Sequence, residues 1–349
     1  MLANMVQNSR PSITEVIRKE VKIVEEVETK NKSWKNLWHY FGEADLKWFN
    51  IILLGSSHAF FLYTLYYIYF ERGFFNFPWL FTLTLGLVSG LGVTAGAHRL
   101  FTHRCYKANL PLRSFLVIGY ILAGMNSLSN WVRDHRVHHK FTDTVTDPHN
   151  ATRGFFFSHV GWLMMKKHPS VIREGKKIDM SDLLEDPLVQ FQEKYFLYLS
   201  VVICHIAPVL IPWYFWNYAF WDCFCMNMFR WVLTLNNVWS VNSAAHIWGS
   251  KPYDKSIKPT ENRFVAVVAF GEGWHNYHHT FPWDYRASEY GRYLNLTGLI
   301  LNMFAAIGWA YDLKTPSPEL IQRVATKRGD GSWYAWGHEV PESADKFSH

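Results

Sequence analysis

Residues 79–103 read WLFTLTLGLVSGLGVTAGAHRLFTH. The part from Trp79 to Ala97 carries no charged residue, and the rest opens a polar segment with two histidines five positions apart. About 20 apolar residues cross a hydrocarbon core, so this stretch predicts a membrane-spanning helix that ends at a histidine-bearing boundary. Upstream, a second uncharged run extends from Trp48 to Phe70. The break between them, Glu71 to Pro78, contains Arg72, Gly73 and Pro78 and is short enough to predict a hairpin. Downstream, the runs Tyr195 to Phe215 and Tyr218 to Val241 predict another hairpin, with Asn217 and Tyr218 at its turn. The apolar stretch Ser114 to Leu128 is too short to span and ends in Asn126 and Ser127, so it reads as an interfacial or re-entrant helix. A moderately apolar helix is expected near Leu294 to Trp309.

The charges orient these segments. Between Arg99 and Lys194 there are 14 lysines and arginines, against one in the first hairpin break and none at the turn near Asn217. Positively charged loops stay on the cytoplasmic side. The expected organisation is a cytosolic N-terminal tail (1–47), a first transmembrane hairpin (48–98), a first cap segment (99–194), a second hairpin (195–241), and a second cap segment with the C-terminal tail (242–349). Both termini are then cytosolic. No apolar segment of signal-peptide type follows the first Met, so no cleaved signal is expected.

Composition agrees with a bilayer setting. Of 349 residues, 17% are aromatic and only 18% charged, and 17 Trp with 18 Tyr suit the lipid–water boundary. The mean hydropathy of −0.09 is an average over apolar spans and polar caps. The net charge of +6 borders the apolar runs, which favours lipid head groups or an acidic ligand over nucleic acid. Cys105, Cys204, Cys223 and Cys225 form no C-x-x-C pair and are expected to be free and buried.

The histidines carry the chemistry. Of 17, nine fall in four groups: His98 and His103; His135, His138 and His139; His275, His278 and His279; and His246 in the stretch Asn242-Ser-Ala-Ala-His246. In H-x-x-H-H the three imidazoles share one helical face. His98 and His103 would splay on a regular helix, so that pair requires the second apolar run to end near His98 with a turn of the backbone there. All four groups fall on the cytoplasmic side only if Ser114–Leu128 does not span. Nine histidines exceed what one ion needs, and two ions with four or five nitrogens each fit the count; imidazole suits iron, zinc and copper alike. The fold class expected is thus an all-α integral membrane protein, with four transmembrane helices and a cytosolic helical cap carrying a histidine-rich dimetal site. The single E-x-x-H, Glu272 to His275, argues against a carboxylate-bridged bundle. Glu272 is expected to orient a histidine, and Asp134, Asp143, Asp147 and Asp284 are further candidates. His58 and His205 read as buried structural side chains, and His149, His159 and His168 as structural or supporting ones.

Together, HRLFTHR, RDHRVHHKF, NSAAH and GEGWHNYHH resemble the membrane acyl-CoA desaturases of the stearoyl-CoA desaturase type, and are similar to insect members. The likeness runs from about Asn50 to about Asp312. It implies a non-haem di-iron centre that, with dioxygen, places a cis double bond in a long-chain fatty acyl-CoA, by default at the ninth carbon, in the endoplasmic reticulum membrane. It implies one iron on His98, His103, His135, His139 and His278. The other would take His138, His246, His275 and His279, with Asn242 acting through a water. It implies contacts to the acyl-CoA from Asn50, Asn126, Arg133, Asp134, Lys166, Lys167 and Trp239. Electrons would come from cytochrome b5 and its NADH-dependent reductase, since no H-P-G-G haem motif is present.

One expectation comes from the residues themselves. Gly86, Gly90, Thr94 and His98 follow each other at i+4 steps and form a stripe that ends at a candidate ligand. As the wall of an acyl tunnel, two glycines would leave its closed end open to a longer or deeper-seated chain. The alternative is close helix packing, for which Gly92 and Gly96 offer a second small-residue stripe. Two rival functions share the histidine pattern: a fatty acyl hydroxylase or conjugase with the same centre, and a non-oxidative membrane zinc protein. Ligands gathered at the ends of spans, rather than near the midplane, disfavour a transporter. The segment Lys258-Pro-Thr-Glu261 and the double-bond position are not decoded by these arguments.

Overall fold

The computed structural model describes residues 45–289 and 294–334. The polar tail read for residues 1–47 and the C-terminal end beyond 334 thus lie largely outside the described residues. The described chain is mostly helical. Among these residues, three helices are long and apolar enough to cross a membrane: α1 (Trp48–Arg72), α2 (Trp79–Thr102) and α5 (Phe196–Trp216). Between α2 and α5 lie α3 (Leu110–Ala123) and α4 (Leu128–Lys140), bent by 87° at their junction, then six short helical segments. After α5 come α6 (Phe220–Ile247), α7 (Arg263–Val268), α8 (His275–Thr280), α9 (Leu296–Ala306) and α10 (Pro318–Arg328). A two-residue antiparallel pairing joins β1 (Lys107–Ala108) to β2 (Ala310–Tyr311) and ties the end of the α2 connection to the chain after α9.

The breaks follow from local chemistry. Gly73, at φ 84°, ends the widened last turn of α1, and Pro78 precedes α2. Asn109 caps α3 by accepting from the Leu112 N–H, and Gly124, at φ 67°, takes the left-handed position that stops it. Ser127 then starts α4, so the short apolar stretch becomes a helix and a sharp turn rather than one straight rod.

In α2 the winding changes. From Gly92 to Thr102 the helix is π-wound, and the His103 N–H bonds the His98 carbonyl at 3.1 Å. This corrects the expectation of a helix ending near His98. Bonding from i to i+5 brings residues five apart onto one face, so the H-x-x-x-x-H spacing suits a wide turn within a continuous helix.

α6 is central. It is 28 residues long, about 42 Å, which is enough to span, but Asp222, Asn227 and Arg230 lower its apolarity. Its charges are paired inward. Asp222 accepts from Tyr67 and Arg72 of α1 at 2.9 Å each. Arg230 donates to Ser89 of α2 (3.0 Å), the Leu122 carbonyl of α3 (2.9 Å) and the Cys204 carbonyl of α5 (3.1 Å). Buried charge satisfied in this way locks four helices together.

The two glycine stripes on α2 do different things. A Cβ on Gly92 would land on the backbone of Gly119 and Tyr120, so α2 and α3 cross there in close contact, with Gly96 against Leu116. Gly92→Ala is therefore expected to destabilise the protein by about 1–3 kcal/mol through overpacking, measured as a shift in thermal unfolding in detergent. The four cysteines are all free and buried.

Candidate metal centre

Nine histidines converge in two adjoining groups. His98, His103, His135, His139 and His278 bring one ligand nitrogen each within 4.8 Å of one another, and so do His138, His246, His275 and His279. Helix α4 points His135 and His139 into the first group and His138 into the second. Helix α8 gives His278 to the first group, and His275 and His279 to the second. Across the boundary the rings of His139 and His279 stack at 4.2 Å.

In the first group the Nε2 atoms of His98 and His278 are 3.0 Å apart, those of His278 and His139 3.0 Å, and those of His139 and His135 3.1 Å. In the second, His246 to His275 is 3.1 Å, His275 to His279 3.1 Å and His279 to His138 3.3 Å. Two nitrogens about 2.0–2.1 Å from a shared ion, at angles of about 90–110°, lie about 2.9–3.4 Å apart. The separations therefore match edges of a coordination shell.

The outward ring nitrogens say the same. His98 Nδ1 is 2.9 Å from Glu272 Oε2, His138 Nδ1 is 2.8 Å from Asp147 Oδ2, and His246 Nδ1 is 2.8 Å from Asp143 Oδ2. At His138 and His246 the contact is a hydrogen bond, which assigns the proton to Nδ1 and turns the Nε2 lone pair inward. Lone pairs facing each other at these separations need a cation between them. His103 Nε2 is likewise buried without a hydrogen-bond partner. Burial, followed by the surrounding imidazoles, holds His103, His275, His278 and His279 well below the ordinary histidine range, in the neutral form that ligates. The donor set fits two metal ions.

The carboxylates are themselves held. Burial alone would raise the Glu272 carboxyl; Arg99 and then His98 outweigh it and bring it down to about 2. The Arg99 side chain is fully buried and donates to Glu272 Oε1 from Nε (3.0 Å) and Nη2 (2.8 Å), and to the Tyr285 carbonyl from Nη1 (2.9 Å). Asp143 and Asp147 lie in one loop, each fixed by backbone N–H groups. Asp134 pairs with Lys167, and Asp284 with Tyr277 and Arg286, so these two candidates do not brace a histidine.

A cavity of about 380 Å³ opens against this centre. His98, His135 and His275 form part of its wall, and the rest is mostly apolar. This volume falls in the range of about 300–1,000 Å³ typical of ligand pockets.

The sequence profile of the family described as Fatty acid desaturase matches residues 74–311. The chain is 52% identical over 292 residues to an acyl-CoA Delta-9 desaturase of Acheta domesticus, covering 83% of this chain and 81% of that protein. It is 47% identical over 309 residues to an acyl-CoA Delta(11) desaturase of Spodoptera littoralis, covering 87% and 90%. It is 51% identical over 254 residues to an (11Z)-hexadec-11-enoyl-CoA conjugase of Bombyx mori, covering 72% and 77%.

The chain belongs to the fatty acid desaturase family. Its similarity is to insect acyl-CoA desaturases, and it is an oxidoreductase of that kind.

In this desaturase the residues singled out from the sequence are distributed as follows. Asn50, Asn126, Asp134, Trp239 and Asn242 line the cavity, as do Gly86, Gly90 and Thr94. Arg133, Lys166 and Lys167 lie off its wall, and Lys167 reaches it through Asp134. Gly86 faces open space, but Gly90 does not: a Cβ there would land inside the Phe270 ring. Only one of the two glycines leaves room, which corrects the expectation that both do. His149 is on the wall and near His138 and Asp147, with its Nδ1 3.6 Å from Asp147 Oδ1. That carboxylate is already taken up by His138 and by backbone N–H groups, so the trio is a brace rather than a further ion site. His58 and His159 both bond Asn236, beside Trp239, His205 packs on Trp231, and His168 bonds Ser170. The sequence reading missed Trp131, Trp162 and Phe270 as wall residues. Trp131 stacks on His135 at 5.0 Å, and its i−4 position was the available signal. Phe270 gave none.

Proposed function

We propose that this protein is a di-iron acyl-CoA desaturase of the endoplasmic reticulum membrane. The observation that carries the reading is an apolar cavity whose wall includes histidines of both groups. His98, His103, His135, His139 and His278 hold one iron, and His138, His246, His275 and His279 the other, with Asn242 placed to act through a water. Iron bound in this way supplies oxygen activation. The protein's part is to fix the ligands, hold a methylene pair beside them and exclude water. Two hydrogens leave adjacent carbons, and dioxygen becomes two waters with two further electrons and two protons. The electrons come from reduced cytochrome b5 and its NADH-dependent reductase.

The acyl chain occupies the cavity past Trp239 towards Gly86. Asn50, Asn126, Arg133, Asp134, Lys166 and Lys167 take the CoA end, where lysine and arginine suit phosphate. The spans are α1, α2, α5 and α6. The bent pair α3–α4 re-enters without crossing, which leaves all four histidine groups, and both termini, on the cytosolic side. The double bond is assigned to the ninth carbon by default. The relatives at 47–52% identity bear the names Delta-9, Delta12, Delta(11) and conjugase, so identity does not choose among them.

The test is expression in yeast lacking its own desaturase, with mass spectrometry of the fatty acids. A product lighter by two hydrogens supports the reading, and a product heavier by one oxygen replaces it with hydroxylation. Gly86→Leu places a side chain in the open space at the wall. It is expected to shift acyl preference to shorter chains by about ten-fold in relative kcat/KM, read from a chain-length series.

A further inference from the structure

We propose that Phe270 sets the register of the acyl chain against the histidine groups, as a specificity-determining residue of the cavity wall. The inference rests on the reading that the cavity holds the acyl chain. Phe270 lines that cavity, and its ring fills the place where a side chain on Gly90 would be. Gly90 lies on α2 two turns before His98, with the wall residue Thr94 between them. The ring therefore lines the stretch of the cavity that runs from the centre to the open space at Gly86.

Its backbone is unusual. Phe270 has φ 56°, a left-handed conformation that bulky residues rarely adopt. Such a conformation persists where the surroundings dictate it, and it is found at ligand clamps. Here they do. The Phe270 carbonyl accepts from the Thr297 N–H at 3.0 Å, and the Thr297 hydroxyl bonds the Thr94 hydroxyl at 2.8 Å. Gly271 follows at φ 112°, pressed against Asn295. Glu272 comes next and braces His98. The ring and the carboxylate that braces His98 are thus two residues apart on one turn, and both ends of that turn are tied to α2. A side chain that only filled a gap would not need this coupling. The coupling gives the ring a fixed distance from His98, which is what placing a chosen carbon pair requires.

The experiment uses the full-length protein in desaturase-deficient yeast, with double-bond positions located by mass spectrometry. Phe270→Ala loosens the wall beside Gly90. The share of neighbouring positional isomers is expected to rise about ten-fold. Gly90→Ala drives a methyl into the ring and is expected to lose most product; the Gly90→Ala, Phe270→Ala double variant recovers it. Phe270→Leu keeps bulk without the ring and gives an intermediate isomer ratio, which serves if Phe270→Ala does not accumulate. Unsaturated product from Phe270→Ala or Phe270→Leu in the wild-type isomer ratio overturns the proposal and leaves the desaturase reading standing. A wild-type chain that makes no unsaturated product overturns both.

Discussion

Arg99→Met is expected to destabilise the protein by about 3–5 kcal/mol, more than any surface change, because it strands a buried carboxylate. Arg99 and Glu272 are 173 positions apart and almost wholly inaccessible, and the guanidinium supplies two of the donors to Glu272 Oε1. Removing both charges is milder than removing one, so Arg99→Met with Glu272→Gln should recover part of the loss. The pH dependence gives a separate check. In the wild type the Glu272 carboxyl stands at about 2 against an ordinary 4.5, so the stability it lends is complete above pH 4.5 and is lost as pH falls through 2. In Arg99→Met, burial is opposed chiefly by His98 and the carboxyl rises. Proton uptake then favours the folded variant, so its deficit should shrink as pH falls from neutral towards 4.5, the carboxyl's ordinary value. Unfolding in detergent across that range measures it. A deficit that grows towards acid would mean that Glu272 is not the stranded group.

The same pair shows where sequence reading reaches its limit. Apolar runs are local, and they placed α1, α2 and α5 to within a few residues. H-x-x-H-H is also local, and both copies lie on helices, α4 and α8. The five-residue spacing of His98 and His103 misled, because a pattern read at 3.6 residues per turn cannot anticipate a π-wound segment. The carboxylates were legible as a class but not by partner. Five acids were candidates, and the three that brace histidines are selected by contacts as distant as His98 to Glu272 or Asp143 to His246. Phe270 was silent for a related reason: its position depends on a left-handed backbone at a residue type that seldom adopts one. Gly86 and Gly90 look equivalent in the sequence, and only the ring of Phe270 makes them differ.

Asp143→Ala combined with Asp147→Ala is expected to empty one half of the centre and leave the other filled. Asp147 holds His138 and Asp143 holds His246, and both histidines belong to the second group. The loop is built around these carboxylates. The Asp143 N–H donates to Asp147 Oδ2 (2.7 Å), the His149 N–H to Asp147 Oδ1 (3.1 Å) and the Ala151 N–H to Asp143 Oδ1 (2.9 Å). Loss of such a partner typically lowers metal affinity by about 10–100-fold, and because the two acids share hydrogen bonds their effects should not simply add. The first group keeps its own brace, since Glu272, itself held by Arg99, reaches His98 from a distant part of the sequence. On the proposed di-iron reading, iron in the purified protein should therefore fall from two ions per chain towards one, with desaturation lost, while Glu272→Gln depletes the first group instead. Elemental analysis gives the count, and the Mössbauer spectrum tells which site remains. Loss of both ions together would mean that His138–His139 and His278–His279, adjacent in sequence but divided between the groups, bind the two ions as one cooperative unit. Retention of both would mean that the loop shapes the centre without holding it.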